Sequence, residues 1–126
     1  MIPTGLKTWF VIHFIADMFF AIPLIFFPEV IMPWFGWGEI DPVMPRLVGA
    51  ALLGIGGESL FSRNAPREAF KALLRLKIIW ASSAILALSL GILRGGPPAT
   101  WGFLVIFTGF LGVWVYYSIE LNKSTQ

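Results

Sequence analysis

Cysteine is absent from this chain of 126 residues, so no disulfide, thiolate metal site or thiol nucleophile is available to it. Charged residues are also scarce. They make up 13% of the chain, about half of the share with which a soluble domain covers its surface. The net charge of +2 is too small and too localised to indicate a nucleic-acid partner. The scarcity of charge predicts that the solvent of this protein is lipid.

Long apolar runs fill most of the chain, and apolar residues make up 57% of it. Each run reaches the roughly 20 helical residues that cross a bilayer core. The four runs cover residues 6–27, 43–62, 70–93 and 100–121. We predict an all-α membrane protein, a four-transmembrane-helix antiparallel bundle that forms a single membrane domain over residues 1–126.

Lysine and arginine concentrate on one side of the predicted bundle, the side shared by the N-terminus, the second loop and the C-terminus. Only Arg46 and Arg94 fall on the opposite side. The positive-inside rule therefore predicts cytoplasmic termini, and we expect an integral protein of a prokaryotic cytoplasmic membrane. The cations on the predicted inner side are Lys7, Arg63, Arg67, Lys71, Arg75, Lys77 and Lys123.

Three of these cations, Arg67, Lys71 and Arg75, recur at i, i+4 and i+8 where the third helix enters the membrane. This spacing predicts anchoring on anionic lipid headgroups, with a specific lipid or partner site as the alternative. Asn64 as a cap and Glu68 in the first turn indicate that the helix begins outside the lipid.

The segment 28–42 is predicted to be an interfacial aromatic outer loop. Its prolines exclude one continuous helix, yet it is too apolar for a solvated loop. The alternative is a lid over an outward cavity, in which Glu29, Glu39 and Asp41 supply negative potential. The apolar residues of the loop include Val30, Ile31, Met32, Trp34, Phe35 and Trp37.

Asp17 lies near the middle of the first apolar run, and His13 precedes it by one helical turn. A carboxyl group at that depth requires a partner or water, so we expect the two side chains to meet in the bundle interior. Such a pair can serve structural hydrogen bonding, proton or ion handling, or the orientation of a histidine that ligates a tetrapyrrole or metal. One His and one Asp are too few ligands for a metal centre of their own.

The second run carries small residues at Ala50 and Gly54, followed by Glu58. Glu58 and Lys77 of the next run have similar expected depths, which predicts an ion pair between adjacent helices. A structural clamp is the first interpretation of this pair, and a gated charge pair is the second.

Small residues on the third and fourth runs predict close helix packing, either within one subunit or between subunits. Together with Ala50 and Gly54, they lead us to expect a homo-oligomer or a larger membrane complex as well as contact with the bilayer. These positions are Ala84, Gly91, Gly109 and Gly112.

The first half of the chain resembles the small four-helix membrane proteins grouped as DoxX-like. The pattern comprises Phe27-Pro28, Gly36, Asp41-Pro42, then Arg46, Gly49 and Gly54. The resemblance implies an integral four-helix protein of a family that often lacks an established activity. It implies no catalytic residue, and His13 and Asp17 lie outside the pattern.

We therefore expect a non-catalytic packing or accessory subunit of a membrane assembly, without a cofactor. The first alternative is a small proton- or ion-coupled transporter that uses His13, Asp17, Glu58 and Lys77. The second alternative is a pigment- or haem-binding subunit with His13 as the ligand.

Overall fold

The computed structural model describes residues 2–123, and this part of the chain forms five α-helices. They are α1 (Thr4–Phe26), α2 (Pro28–Trp34), α3 (Val43–Phe61), α4 (Arg67–Leu93) and α5 (Ala99–Lys123). Four of them, α1, α3, α4 and α5, are long and apolar enough to cross a membrane. The prediction of an all-α, multi-pass arrangement is confirmed. The largest difference from the predicted bounds is the start of α4 at Arg67 rather than at residue 70.

The contacts of the chain group into two compact units. The first unit, Thr4–Asn64, contains α1, α2 and α3, and the second contains α4 and α5 together with residues 2–3. The single four-helix bundle stays a prediction.

In the first unit, α1 and α3 pack along a seam of residues spaced three or four apart. This spacing keeps the contacting side chains on one face of each helix. Asp17 lies against Gly56, and the earlier residue His13 lies near the later residue Ser59, so the two helices are antiparallel. The seam contains Leu6, Phe10, His13, Asp17 and Ala21 of α1 and Pro45, Gly49, Leu52, Gly56 and Ser59 of α3.

The segment after α1 starts with the short helix α2, a helix that the loop prediction did not include. Pro28 occupies the first turn, where a missing N–H costs no intrahelical bond. Arg46 of α3 donates from Nε to the carbonyl of Ile25 at 3.0 Å, and its Nη2 lies 3.5 Å from Oε1 of Glu29. One guanidinium therefore satisfies a C-terminal carbonyl of α1 and links it to α2. The interfacial position of the segment stays a prediction.

In the second unit, α4 and α5 are also antiparallel, because Arg67 at the start of α4 donates from Nη2 to the carbonyl of Leu121 near the end of α5. The expected cap at Asn64 is wrong: Pro66 occupies the N-cap position, and no side chain caps this end of α4. The two helices are joined through Gly95, whose φ of 83° favours glycine. The buried residues are Phe70, Leu74, Lys77 and Ala81 of α4 and Thr100, Trp114 and Leu121 of α5.

Candidate functional site

A buried polar cluster lies midway along the α1–α3 seam. His13 and Asp17 are only 4% and 6% exposed, and Nε2 of His13 lies 3.3 Å from Oδ2 of Asp17. Their i, i+4 spacing places both on the face of α1 that contacts α3. The structure thus brings together the two polar residues that the sequence singled out in the first run.

Two residues of α3 complete the cluster, and the sequence analysis did not assign them to it. Ser59 is fully buried, with Oγ at 3.5 Å from Nδ1 of His13. Gly56 faces Asp17 so closely that an added Cβ would lie 2.6 Å from Cβ of Asp17. The signal that could have found them is the spacing Gly49, Leu52, Gly56 and Ser59, which marks one face of α3.

The contacts of Ser59 bear on the tautomer of His13. The Ser59 hydroxyl donates its single hydrogen to the carbonyl of Ile55, 2.9 Å away. With its hydrogen used in that bond, the hydroxyl can only accept from His13, and the tautomer with the hydrogen on Nδ1 is the one that suits this contact.

Nε2 of His13 and Oδ2 of Asp17 face each other 3.3 Å apart, and a single proton placed on either group would join them. With the proton on nitrogen the pair is imidazolium and carboxylate, and with the proton on oxygen it is neutral imidazole and carboxylic acid. Both forms have zero net charge. A pair without net charge is the form that costs least in hydrocarbon.

The cluster contains serine, histidine and aspartate, but its geometry does not suit acyl transfer. A serine nucleophile must donate its hydrogen to the base, whereas Ser59 donates to the carbonyl of Ile55. The contact between Ser59 and His13 is also long for a bond that involves a hydroxyl group, at 3.5 Å. The arrangement suits the holding of a proton better than the activation of a hydroxyl.

The same residues offer few ligands to a metal ion or a tetrapyrrole. Within residues 2–123, no three His, Cys, Asp or Glu side chains come together where a metal ion could bind. Ligation of iron or magnesium would require one free nitrogen on His13, and both ring nitrogens face protein oxygen atoms, those of Ser59 and Asp17. No observation favours the pigment or haem alternative, which stays a prediction.

The two members of the predicted ion pair, Glu58 and Lys77, belong to different units. Glu58 is exposed, and its Oε1 accepts a hydrogen bond from the Ser62 hydroxyl one turn later. Lys77 is 1% exposed, and its Nζ lies 4.8 Å from the centroid of the Trp114 ring, a cation–π contact that the sequence did not reveal. The ion pair itself stays a prediction.

The small residues predicted to pack differ in their surroundings. Ala50 is exposed, Ala84 is half-buried, and an added Cβ at Gly91 would reach only Thr100 Cγ2, at 3.9 Å. At Gly54, Gly109 and Gly112 an added Cβ would meet no atom within 4 Å. The close approach of α1 and α3 instead occurs at Gly49 and Gly56.

The three cations predicted to contact lipid headgroups also differ in their surroundings. Arg67 is half-buried and directs its guanidinium to the carbonyl of Leu121. Lys71 and Arg75 line a groove between α4 and α5, and Lys71 lies 3.7 Å from the exposed carboxylate of Glu68.

Comparison with protein-family models, with curated proteins and with solved structures finds no match to this chain. Its class therefore follows from the fold and the site. The protein is helical, with four helices fit to cross a membrane and a buried His–Asp pair on the first of them.

Proposed function

We propose that this protein is a non-catalytic integral membrane protein that serves as a packing or accessory subunit of a membrane assembly, as a homo-oligomer or within a larger complex. The observation that carries the proposal is the outward glycine face of α5, at Gly102, Gly109 and Gly112. An added Cβ at each of these positions would meet open space.

Exposed glycines in a helix need a reason, because each costs about 1 kcal/mol of helix propensity relative to alanine. In a membrane, glycine lets the backbone of a second helix approach closely, and van der Waals packing then drives association. Gly102 and Gly109 are seven residues apart and Gly112 follows after three, so all three lie near one face of α5. This face suits contact with another helix.

The enclosed polar cluster also supports a structural role. His13 and Asp17 are almost fully buried, and Gly56 leaves no room for even a methyl group beside Asp17. A substrate could reach the pair only if α1 and α3 separated. We interpret the pair as a polar clamp that holds the register of the two helices, because a slip along the seam would leave both groups without their partners in hydrocarbon.

The same helices support our proposal for the orientation in the membrane. Within each unit the long helices are antiparallel, and only residues 62–66 connect α3 to α4. If all four helices cross, the N-terminus, this connection and the C-terminus share one side. The cluster of Lys and Arg on that side supports a cytoplasmic location for both termini, in a prokaryotic cytoplasmic membrane.

The proposal is tested by native mass spectrometry of the protein extracted in a mild detergent. Masses above the 14.0 kDa of one chain are expected, at a fixed stoichiometry. Gly109→Leu places a large side chain on the glycine face and should shift the population toward single chains. Ala87→Leu, a small-to-large change at an exposed site of α4, is the matched control. A wild-type protein found only as single chains, without partners, contradicts the proposal.

A second candidate function, proton handling, is favoured by one observation: Nε2 of His13 and Oδ2 of Asp17 face each other 3.3 Å apart in a buried site. Proton-coupled transporters place such carboxyl and imidazole groups within the bilayer. Under this candidate function, the α1–α3 seam must open to admit water to Asp17. A pH-driven flux in liposomes that depends on Asp17 would establish it in place of the accessory role.

A further inference from the structure

A groove of about 240 Å³ lies between the first turns of α4 and the last turns of α5. Lys71 and Arg75 of α4 and Ser118 and Asn122 of α5 supply its polar lining, and Ile78 and Leu121 belong to its apolar lining. The groove therefore combines cations and hydrogen-bond donors with an apolar surface. That combination matches an amphiphile with an anionic head.

The electrostatics of the two cations suit an anionic ligand. Lys71 has one carboxylate nearby, that of Glu68 at 3.7 Å, but the Glu68 side chain is 83% exposed, and an ion pair so exposed contributes little. Arg75 is exposed beside the same groove, one turn further along α4. An anion placed between these two side chains would gain two charge-assisted contacts.

Arg67 has a different role in the same region. Its guanidinium donates to the carbonyl of Leu121 and so joins the start of α4 to the end of α5. This contact holds together the two helix ends that form the groove. Arg67 is thus a positioning residue, whereas Lys71 and Arg75 are the residues that would contact the ligand.

We propose that this groove binds an anionic phospholipid. The phosphate lies between the side chains of Lys71 and Arg75, and Ser118 and Asn122 donate hydrogen bonds to its oxygens. An acyl chain extends over the apolar surface at Ile78. Both α4 and α5 are long and apolar enough to cross the membrane, so the ligand reaches the groove from the surrounding leaflet. Free phosphate fills only the polar part of the groove, which is why a lipid is the occupant.

The test is a titration of the purified protein in mild detergent with dioctanoyl phosphatidylglycerol, followed by native mass spectrometry. Dioctanoyl phosphatidylcholine and inorganic phosphate are titrated separately. The double variant Lys71→Gln/Arg75→Gln removes both cations of the groove. Lys7→Gln/Lys123→Gln removes the same charge from positions outside the groove lining. Ser118→Phe fills the groove without a change in charge.

Wild type should bind phosphatidylglycerol in preference to phosphatidylcholine. The groove double variant should lose about thirtyfold in affinity, equivalent to about 2 kcal/mol or about 1 kcal/mol for each cation. The control double variant should stay within about threefold of wild type, and Ser118→Phe should weaken binding while circular dichroism confirms its helicity.

Equal losses in the two double variants would overturn the proposal, because charge alone would then explain binding. Equal affinity for the two lipids would overturn it as well. Inorganic phosphate that displaces the lipid at equal concentration would identify a free-phosphate site instead. If Ser118→Phe fails to fold, the comparison of the two double variants decides the matter.

Discussion

Gly56 provides the sharpest test of the α1–α3 seam, because its substitution by alanine adds one methyl group directly against Asp17. The new Cβ would lie 2.6 Å from Cβ of Asp17 and 3.0 Å from its Oδ2. Ordinary van der Waals contact begins at 3.4 Å, so the two helices must separate by 0.8 Å locally, the difference between 3.4 and 2.6 Å. Cβ of Asp17 is not the end of a flexible side chain, and the backbone must therefore move.

The expected magnitude follows from two opposing terms. Overpacking of this kind costs typically about 1–3 kcal/mol. Replacement of a helical glycine by alanine stabilises the helix by about 1 kcal/mol, because alanine has the higher helix propensity. Gly54→Ala on the same helix gains the helix propensity without the overpacking cost, because its added Cβ meets nothing within 4 Å. The difference in stability between the two variants therefore isolates the overpacking cost.

The assay is reversible unfolding of single chains in mixed detergent micelles, followed by circular dichroism and tryptophan fluorescence. Gly56→Ala should be less stable than Gly54→Ala by about 1–3 kcal/mol. The same shift should lengthen the contact between Ser59 and His13, which already spans 3.5 Å. Equal stability of the two variants, within about 0.5 kcal/mol, would refute the close approach at Gly56.

Three further predictions concern the polar residues and the topology. Asp17→Asn should preserve the fold and any assembly if the pair with His13 is structural, because an amide can still hydrogen-bond; loss of a proton flux in liposomes from a folded protein would favour proton handling. Glu58→Gln and Lys77→Met should each reduce thermal stability by more than the double variant does, because each single change leaves one charge without its partner. Simply additive losses would exclude a direct ion pair. A reporter fused at Gln126 should be active on the cytoplasmic side, and activity confined to the outer side would reverse the topology.

The segment 28–42 shows what local sequence patterns can predict and what they cannot. Its prolines correctly excluded one continuous helix, but Pro28 also starts the short helix α2, because proline is compatible with a first helical turn. The sequence marks Arg46 as a charge on the outer side and as part of a family-like pattern, but it predicts no contact for this residue. Its bonds to Ile25 and Glu29 depend on how α3 returns alongside α1, and no local pattern contains that information.

The sequence by itself determined the four long helices, because a sufficiently long apolar segment forms its backbone hydrogen bonds internally wherever it is placed. It also determined that His13 and Asp17 share a helix face, since i, i+4 spacing is a local property. Only the tertiary structure decided what meets that face. Ser59 lies 46 residues from His13, and Leu121 lies 54 residues from Arg67. Contacts over such separations depend on the relative register of two helices, and the packing of the whole seam sets that register. For this reason Gly56 lies against Asp17, whereas an added Cβ at Gly54 would meet open space.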